Sequence, residues 1–313
     1  MLEQFCVNPG CMQTSKSHTL LSFLQAPMVA HSYYARSVCT LLLAALVLAC
    51  APLRAQNPGD PPEPSQGAAS TLPNSAPYQI TAVPNRPTFS TSAEAVQSGV
   101  LEIEYGFETA DGHQNVNGLV KFGLTKKLEL RFANNPIERD AGVAGFGDSG
   151  AGFKYKVIEQ KNWWPTFSLL YMAIIPTATA GVGFGAVGHS AGILVSKDFG
   201  KHHFDFNETA QWLGRPHASG FDRNYFTALA YSHAVRGNWG MTAEIAGFSQ
   251  APTPATMTLM GAATYSVSSR CILDTGIYVA AYGQLPRVTF FGGVTYSIAD
   301  LYHRRSKTSG TAH

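Results

Sequence analysis

The stretch VLEIEYGFE, residues 100–108, decides the fold class. Leu101, Ile103, Tyr105 and Phe107 alternate with Glu102, Glu104, Gly106 and Glu108. A period of two is the signature of a strand with one apolar and one polar face, whereas a helix would scatter the glutamates around its circumference. The pattern continues downstream. Val116, Gly118, Val120 and Phe122 stand against Asn115, Asn117 and Lys121; Leu128, Leu130 and Phe132 against Glu129 and Arg131; Ala151, Phe153, Tyr155 and Val157 against Gly152, Lys154 and Lys156.

Further strands are expected near 164–175, 187–199, 202–213, 223–235, 238–249, 256–268, 271–282 and 286–298, about twelve in all. Each is long enough for the roughly 9 to 11 residues that a tilted strand needs to cross a bilayer. The connections test this independently. Tight turns fall at 125–127, 160–162, 200–201, 237–238 and 269–270, and longer loops at 134–147, 176–187, 214–224 and 250–255. Outer-membrane barrels alternate short periplasmic turns with longer external loops. The expected fold is therefore all-β, a closed antiparallel transmembrane β-barrel of about 12 strands at residues 85–298, with a tail at 299–313. Two details strain the pattern: Glu208 shares the parity of Phe204, Phe206 and Trp212, and residues 167–175 are apolar on both faces.

Composition agrees. Charged residues make up 13% of the 313, against roughly 25% for a soluble protein, as suits a surface that faces lipid. A formal net charge of +2 gives no argument for a nucleic-acid partner. Before the strands, VCTLLLAALVLAC at 38–50 follows Arg36 and precedes Leu53, Arg54 and Ala55. It is too short to span a membrane and has the layout of a secretory signal. Residues 1–55 are thus expected to be leader, with 1–27 an upstream extension and 28–55 the signal peptide. Cleavage after Ala55 competes with lipidation at Cys50. Residues 56–84, rich in proline, are expected to form a disordered periplasmic extension, and the segment from Tyr78 to Gly99 is a candidate plug of the lumen. Of the five cysteines only Cys271 survives cleavage after Ala55, and no spacing suggests a metal site or another cofactor.

Several motifs invite enzymatic readings. Gly188-His189-Ser190-Ala191-Gly192 matches a nucleophile elbow, but the following Ile193, Leu194 and Val195 continue a strand where the elbow needs a helix. Gly147-Asp148-Ser149-Gly150 and the glycine patterns at 145–150 and 183–188 fail on the same ground. His202, His203 and Asp205 fit a polar turn entering a strand better than a metal centre. The constellation that stands out is a charged wall: Glu102, Glu104, Glu129, Arg131, Lys154 and Lys156, with Asp274, are candidate lumen-lining residues. They are either an internal salt-bridge network or a charged constriction. Trp163, Trp164, Trp212, Tyr225, Tyr231, Trp239, Tyr296 and Tyr302 are candidates for interfacial aromatic girdles.

Ordered motifs across residues 85–298 carry a resemblance. They are Arg86-Pro87-Thr88-Phe89-Ser90, Ser98-Gly99, residues 102–107, Phe122-Gly123-Leu124-Thr125, Leu128-Glu129-Leu130-Arg131, Gly147-Asp148, Gly152-Phe153-Lys154-Tyr155 and Leu273-Asp274-Thr275-Gly276. Together they resemble the outer-membrane barrels labelled as the MetA pathway of phenol degradation, or as transporters. The resemblance implies an exported barrel in the outer membrane that moves small hydrophobic or aromatic solutes, and it brings no catalytic residues. A monomer in the lipid bilayer, delivered by the barrel assembly machinery, is the expected state. A membrane-embedded serine hydrolase using Ser190 and a structural or adhesive barrel are the alternative functions. The tail is a departure, because such barrels end on an aromatic residue of the last strand, a role that Tyr296 is placed to take.

Overall fold

The computed structural model describes residues 78–140, 142–250, 255–283 and 288–302. The leader, the signal sequence, residues 56–77 and residues 303–313 lie outside them. The described chain holds thirteen strands: β1 Val100–Ala110, β2 His113–Gly123, β3 Leu128–Asp140, β4 Val143–Gly145, β5 Ser149–Ile158, β6 Thr166–Ile175, β7 Gly188–Phe199, β8 His202–Gly214, β9 Phe221–Arg236, β10 Trp239–Gln250, β11 Thr256–Ser268, β12 Cys271–Tyr282 and β13 Val288–Asp300. Every pairing is antiparallel between neighbours in the wall, and β1 pairs with both β2 and β13, so the sheet closes on itself. Closure leaves no edge in the wall. Twelve strands form it. The thirteenth, β4, pairs only with the outer end of β3 and extends a hairpin beyond the wall.

The period-two pattern of the sequence becomes inside and outside. On β1 the glutamates are buried, Glu102 at 0% exposure, while Phe107 is 55% exposed. On β13 Thr289, Phe291, Thr295 and Ser297 are buried, while Val288, Phe290, Tyr296 and Ile298 are exposed. A continuous belt of exposed leucine, isoleucine, valine and phenylalanine on a closed sheet is a surface for hydrocarbon, not water. At the terminal end, where the described residues enter at Tyr78 and leave at Tyr302, the exposed Trp163 and Trp164 stack at 4.3 Å and Trp239 lies against Tyr265. Trp212 and Tyr225 occupy the outer face near the opposite end, in β8 and β9.

Glu208 does lie on the outer face. There is no bulge around it: Ile193, Glu208 and Thr227 are successive partners across β7, β8 and β9. Its carboxylate accepts a hydrogen bond from the Thr227 hydroxyl at 2.6 Å. The end opposite the terminal one carries most of the longer loops, with two exceptions: β1 and β2 are joined there by Asp111 and Gly112 alone, and the connection 159–165 between β5 and β6, longer than several of those loops, lies at the terminal end. Gly112, at φ +73°, supplies the turn.

Two expected boundaries move. Residues 80–84, assigned to the extension, instead enter the barrel: Ala82 and Val83 are buried, and Val83 clusters with Val96, Val100 and Ile80, while Tyr78 and Gln79 stay exposed at its mouth. The tail does not begin at Ala299, because Ala299 and Asp300 still pair with Leu101 and Val100. Tyr78 then fastens the entry of the chain to the end of β13, its phenol donating to Asp300 at 2.6 Å. Partial burial, followed by the hydrogen bond and charge of Asp300, pushes that phenol above the ordinary tyrosine range.

Candidate functional site in the lumen

Residues 78–99 form no helix or strand, yet most of the segment from Ala82 to Val96 is buried within the barrel, with Pro84 and residues 86–88 partly exposed. Irregular backbone in a space shielded from water must have its N–H and C=O groups satisfied. The wall supplies the partners. Ascending from the terminal end, Val83 N–H donates to Glu102 at 3.0 Å, and the N–H groups of Asn85 and Arg86 donate to the two oxygens of Glu104 at 2.9 and 3.2 Å. At the turn of the insert, Phe89 and Ser90 N–H donate to the two oxygens of Glu244, each at 2.7 Å. Descending, Thr91 N–H finds Asn207, Ala93 N–H finds Ser196 and Val96 N–H finds Glu129.

Carbonyl groups are served by cations and hydroxyls. Lys121 Nζ donates to Val83 O at 2.5 Å while also pairing with Glu102 at 2.6 Å and with Glu104. Lys154 Nζ donates to Ser92 O at 3.0 Å and to Glu94 O, and lies 3.5 Å from Glu129. Ser168 donates to Ala93 O at 2.6 Å. The insert's own charged side chains are clamped in turn. Arg86 donates from Nε and from a terminal nitrogen to the two oxygens of Asp274, both at 3.1 Å. Glu94 accepts from Lys156 at 3.1 Å and from Thr166 at 2.5 Å.

All seven residues of the charged wall are therefore buried, and six of them touch the insert directly. Arg131 differs: it pairs with Glu129 two residues before it, at 2.8 Å. The set is neither a plain salt-bridge lattice across the wall nor an open charged constriction. Its charges bind the backbone, and at Lys156 and Asp274 the charged side chains, of a chain segment that passes between them. Sequence reasoning missed Glu244, Asn207, Ser196, Lys121, Arg86 and Glu94 as members of this set. For those on strands a signal existed, since each shares the inward parity of its strand. For Arg86 and Glu94 there was none, because residues 78–99 have no period.

Beyond the insert the inner wall changes character. On β6, Thr166 and Ser168 face the insert, whereas Leu170, Met172 and Ile174 continue on the same inner side past it. This explains a strand that is apolar on both faces. Phe89 of the insert packs with Phe226, Ala228 and Ala246, flanked by Phe248 and Tyr278, and its ring meets Tyr278 edge-on at 5.0 Å. Two adjoining cavities share Phe89 and Leu119. One, of about 510 Å³ including space open to solvent, is lined by Leu170, Met172, Phe226, Ser190, Gln211 and Arg131 among others. The second is lined by Arg86, Glu104, Glu108, Asn117, Tyr278 and Phe291 among others.

This wall has relatives among solved structures. The NanC porin superposes with a TM-score of 0.50 at 9% identity, over 63% of this chain and 100% of that one. An outer-membrane channel from Pseudomonas putida F1 superposes with a TM-score of 0.52 at 14% identity, over 66% and 98%. The chain has the fold of outer-membrane barrels. No protein-family model matches it, and no curated protein does.

The enzymatic motifs do not assemble. Ser190 is the third residue of the unbroken strand β7, between Met172 and Gln211 on its neighbours, and the strand runs on to Phe199 with no helix after it. His189, next to it, points to the opposite face, where its ring bonds Tyr171 at 2.8 Å. His203 is held between Asp198 and Asp205 at 2.7 and 3.0 Å, so its two ring nitrogens are both engaged. Among the described residues no group of three or more potential ligands is placed to hold a metal ion.

Proposed function

We propose that the chain is an outer-membrane channel through which small, largely apolar or aromatic solutes reach a vestibule that the insert closes from the terminal side. The outer surface supports residence in a bilayer, and the terminal end, with its short turns, is assigned to the periplasm. The protein acts as a monomer and reaches the membrane by export and the barrel assembly machinery. The observation that carries the reading is the division of the lumen: an insert hydrogen-bonded to the wall fills one part, and a vestibule walled by Phe89, Leu170, Met172 and Phe226 remains beyond it. Small-molecule sites are typically concave, mainly apolar and furnished with a few polar groups.

The test is reconstitution. Proteoliposomes holding the full chain are expected to take up small aromatic compounds faster than empty vesicles while conducting ions poorly. Deletion of residues 78–99 is expected to raise single-channel conductance severalfold. A full chain that neither conducts nor accelerates uptake of any aromatic compound would remove the transport reading.

A further inference from the structure

The vestibule holds two buried polar atoms without a partner among the described residues. They are Arg131 Nε and Ser190 Oγ, and both residues line the same cavity. Arg131 is 5% exposed and Ser190 1% exposed. Arg131 does bind Glu129, but through a terminal nitrogen, which leaves the Nε–H with nothing to donate to. Other inner atoms, such as Asn115 Oδ1, Asn135 Oδ1, Asn224 Oδ1 and Thr295 Oγ1, also lack a partner among the described residues; what distinguishes these two is that both belong to residues lining one cavity and that one of them is carried by a cation, where a missing acceptor is costliest. Around them the cavity is apolar, with Leu170, Met172 and Phe226. By contrast, Arg86 of the insert uses its Nε as well as a terminal nitrogen on Asp274.

We infer that this cavity is a binding subsite for a small monocarboxylate with an apolar body, its carboxylate taken by Arg131 Nε–H and the Ser190 hydroxyl and its body by Leu170, Met172 and Phe226. The inference rests on the channel reading and narrows its solute class. A charge-assisted hydrogen bond from a guanidinium is stronger than one to a neutral oxygen. An apolar body without a polar end would leave both atoms unpaired, and sites built to pair a polar group discriminate strongly against analogues that lack it. Ser190, which the elbow motif would nominate as a nucleophile, is thus assigned to hydrogen bonding.

The experiment uses the purified full chain in detergent and three probes of similar size: benzoate, benzyl alcohol and toluene, measured by equilibrium dialysis of labelled compound. Benzoate is expected to bind at least tenfold more tightly than benzyl alcohol. Arg131→Met should abolish that preference, and Ser190→Ala should weaken benzoate and benzyl alcohol together by severalfold. Equal binding of benzoate and benzyl alcohol to the native chain overturns the inference, as does a preference that survives Arg131→Met. If Arg131→Met does not fold, Ser190→Val decides, since it must reduce benzoate binding by tenfold or the assignment falls. Vesicle uptake separates the two levels. Binding of benzoate without uptake removes the channel and keeps the subsite; uptake of all three probes at one rate, without preferential binding, removes the subsite and keeps the channel.

Discussion

At the scale of the residue, the lumen shows what a buried carboxylate is worth when its partners are backbone amides. Glu244 accepts from Phe89 and Ser90 together. Glu244→Ala strips both amides of their acceptor, at about 1–3 kcal/mol for each, and hydrogen exchange at Phe89 and Ser90 should accelerate by at least tenfold; Glu244→Gln, which keeps one oxygen, should fall between. The Arg86 and Asp274 pair is 13% and 2% exposed at its side chains, so removing one partner leaves a buried charge uncompensated. Asp274→Leu should therefore destabilise the insert more than the double variant Arg86→Met with Asp274→Leu, and a double-mutant cycle read by urea denaturation should give a coupling above about 1 kcal/mol. The inward position of Glu102, Glu104, Glu129, Lys154 and Lys156 was legible from parity alone. Their task was not, because a carboxylate that caps an amide and one that pairs with a lysine on the next strand have the same pattern in the sequence. Glu244 escaped notice for a plainer reason: it stands isolated among Thr242, Ala243 and Ile245, where no neighbouring charge draws attention to it.

At the scale of the element, small residues in the wall decide where the insert lies. Gly106 of β1 and Gly293 of β13 are partners in register, and a Cβ on either would come within 2.3 Å of the Arg86 guanidinium. Together they form a slot for it. Gly123 at the end of β2 is less forgiving, because a Cβ there would lie 2.2 Å from the backbone oxygen of Gln97. An arginine tip can swing aside, whereas a backbone held by its own hydrogen bonds cannot. Gly123→Val should accordingly increase proteolysis within 90–99 more than Gly106→Val does within 82–90, measured by limited digestion of the reconstituted protein. The strands themselves were readable to within a few residues, since one face must meet lipid and the other must not. The loops were less so: the reading ended the third strand near Phe132, but β3 continues to Asp140 and folds back through β4, beyond the membrane belt where alternation stops carrying information.

At the scale of the whole molecule, the exposed apolar belt predicts depth-dependent intolerance to charge. Leu130, 42% exposed on the outer face of β3, replaced by arginine should cost about 2–4 kcal/mol if it sits near the middle of the bilayer, read from urea titrations of folding into vesicles. Glu208 is the natural counterpart. Satisfied by Thr227, it is tolerated on the same surface, and Thr227→Val should lower stability while Glu208→Gln should not. The insert also has a meaning for how such a cylinder is built. Its contacts come from strands early and late in the chain, from Glu102 of β1 through Glu129, Lys154, Ser196, Asn207 and Glu244 to Asp274 of β12. A strand that joined the sheet one residue out of step would turn its capping group to the lipid and leave an amide of the insert bare. The segment that occupies the finished lumen is thus expected to act, during assembly, as a jig that rewards correct alignment of the strands that touch it.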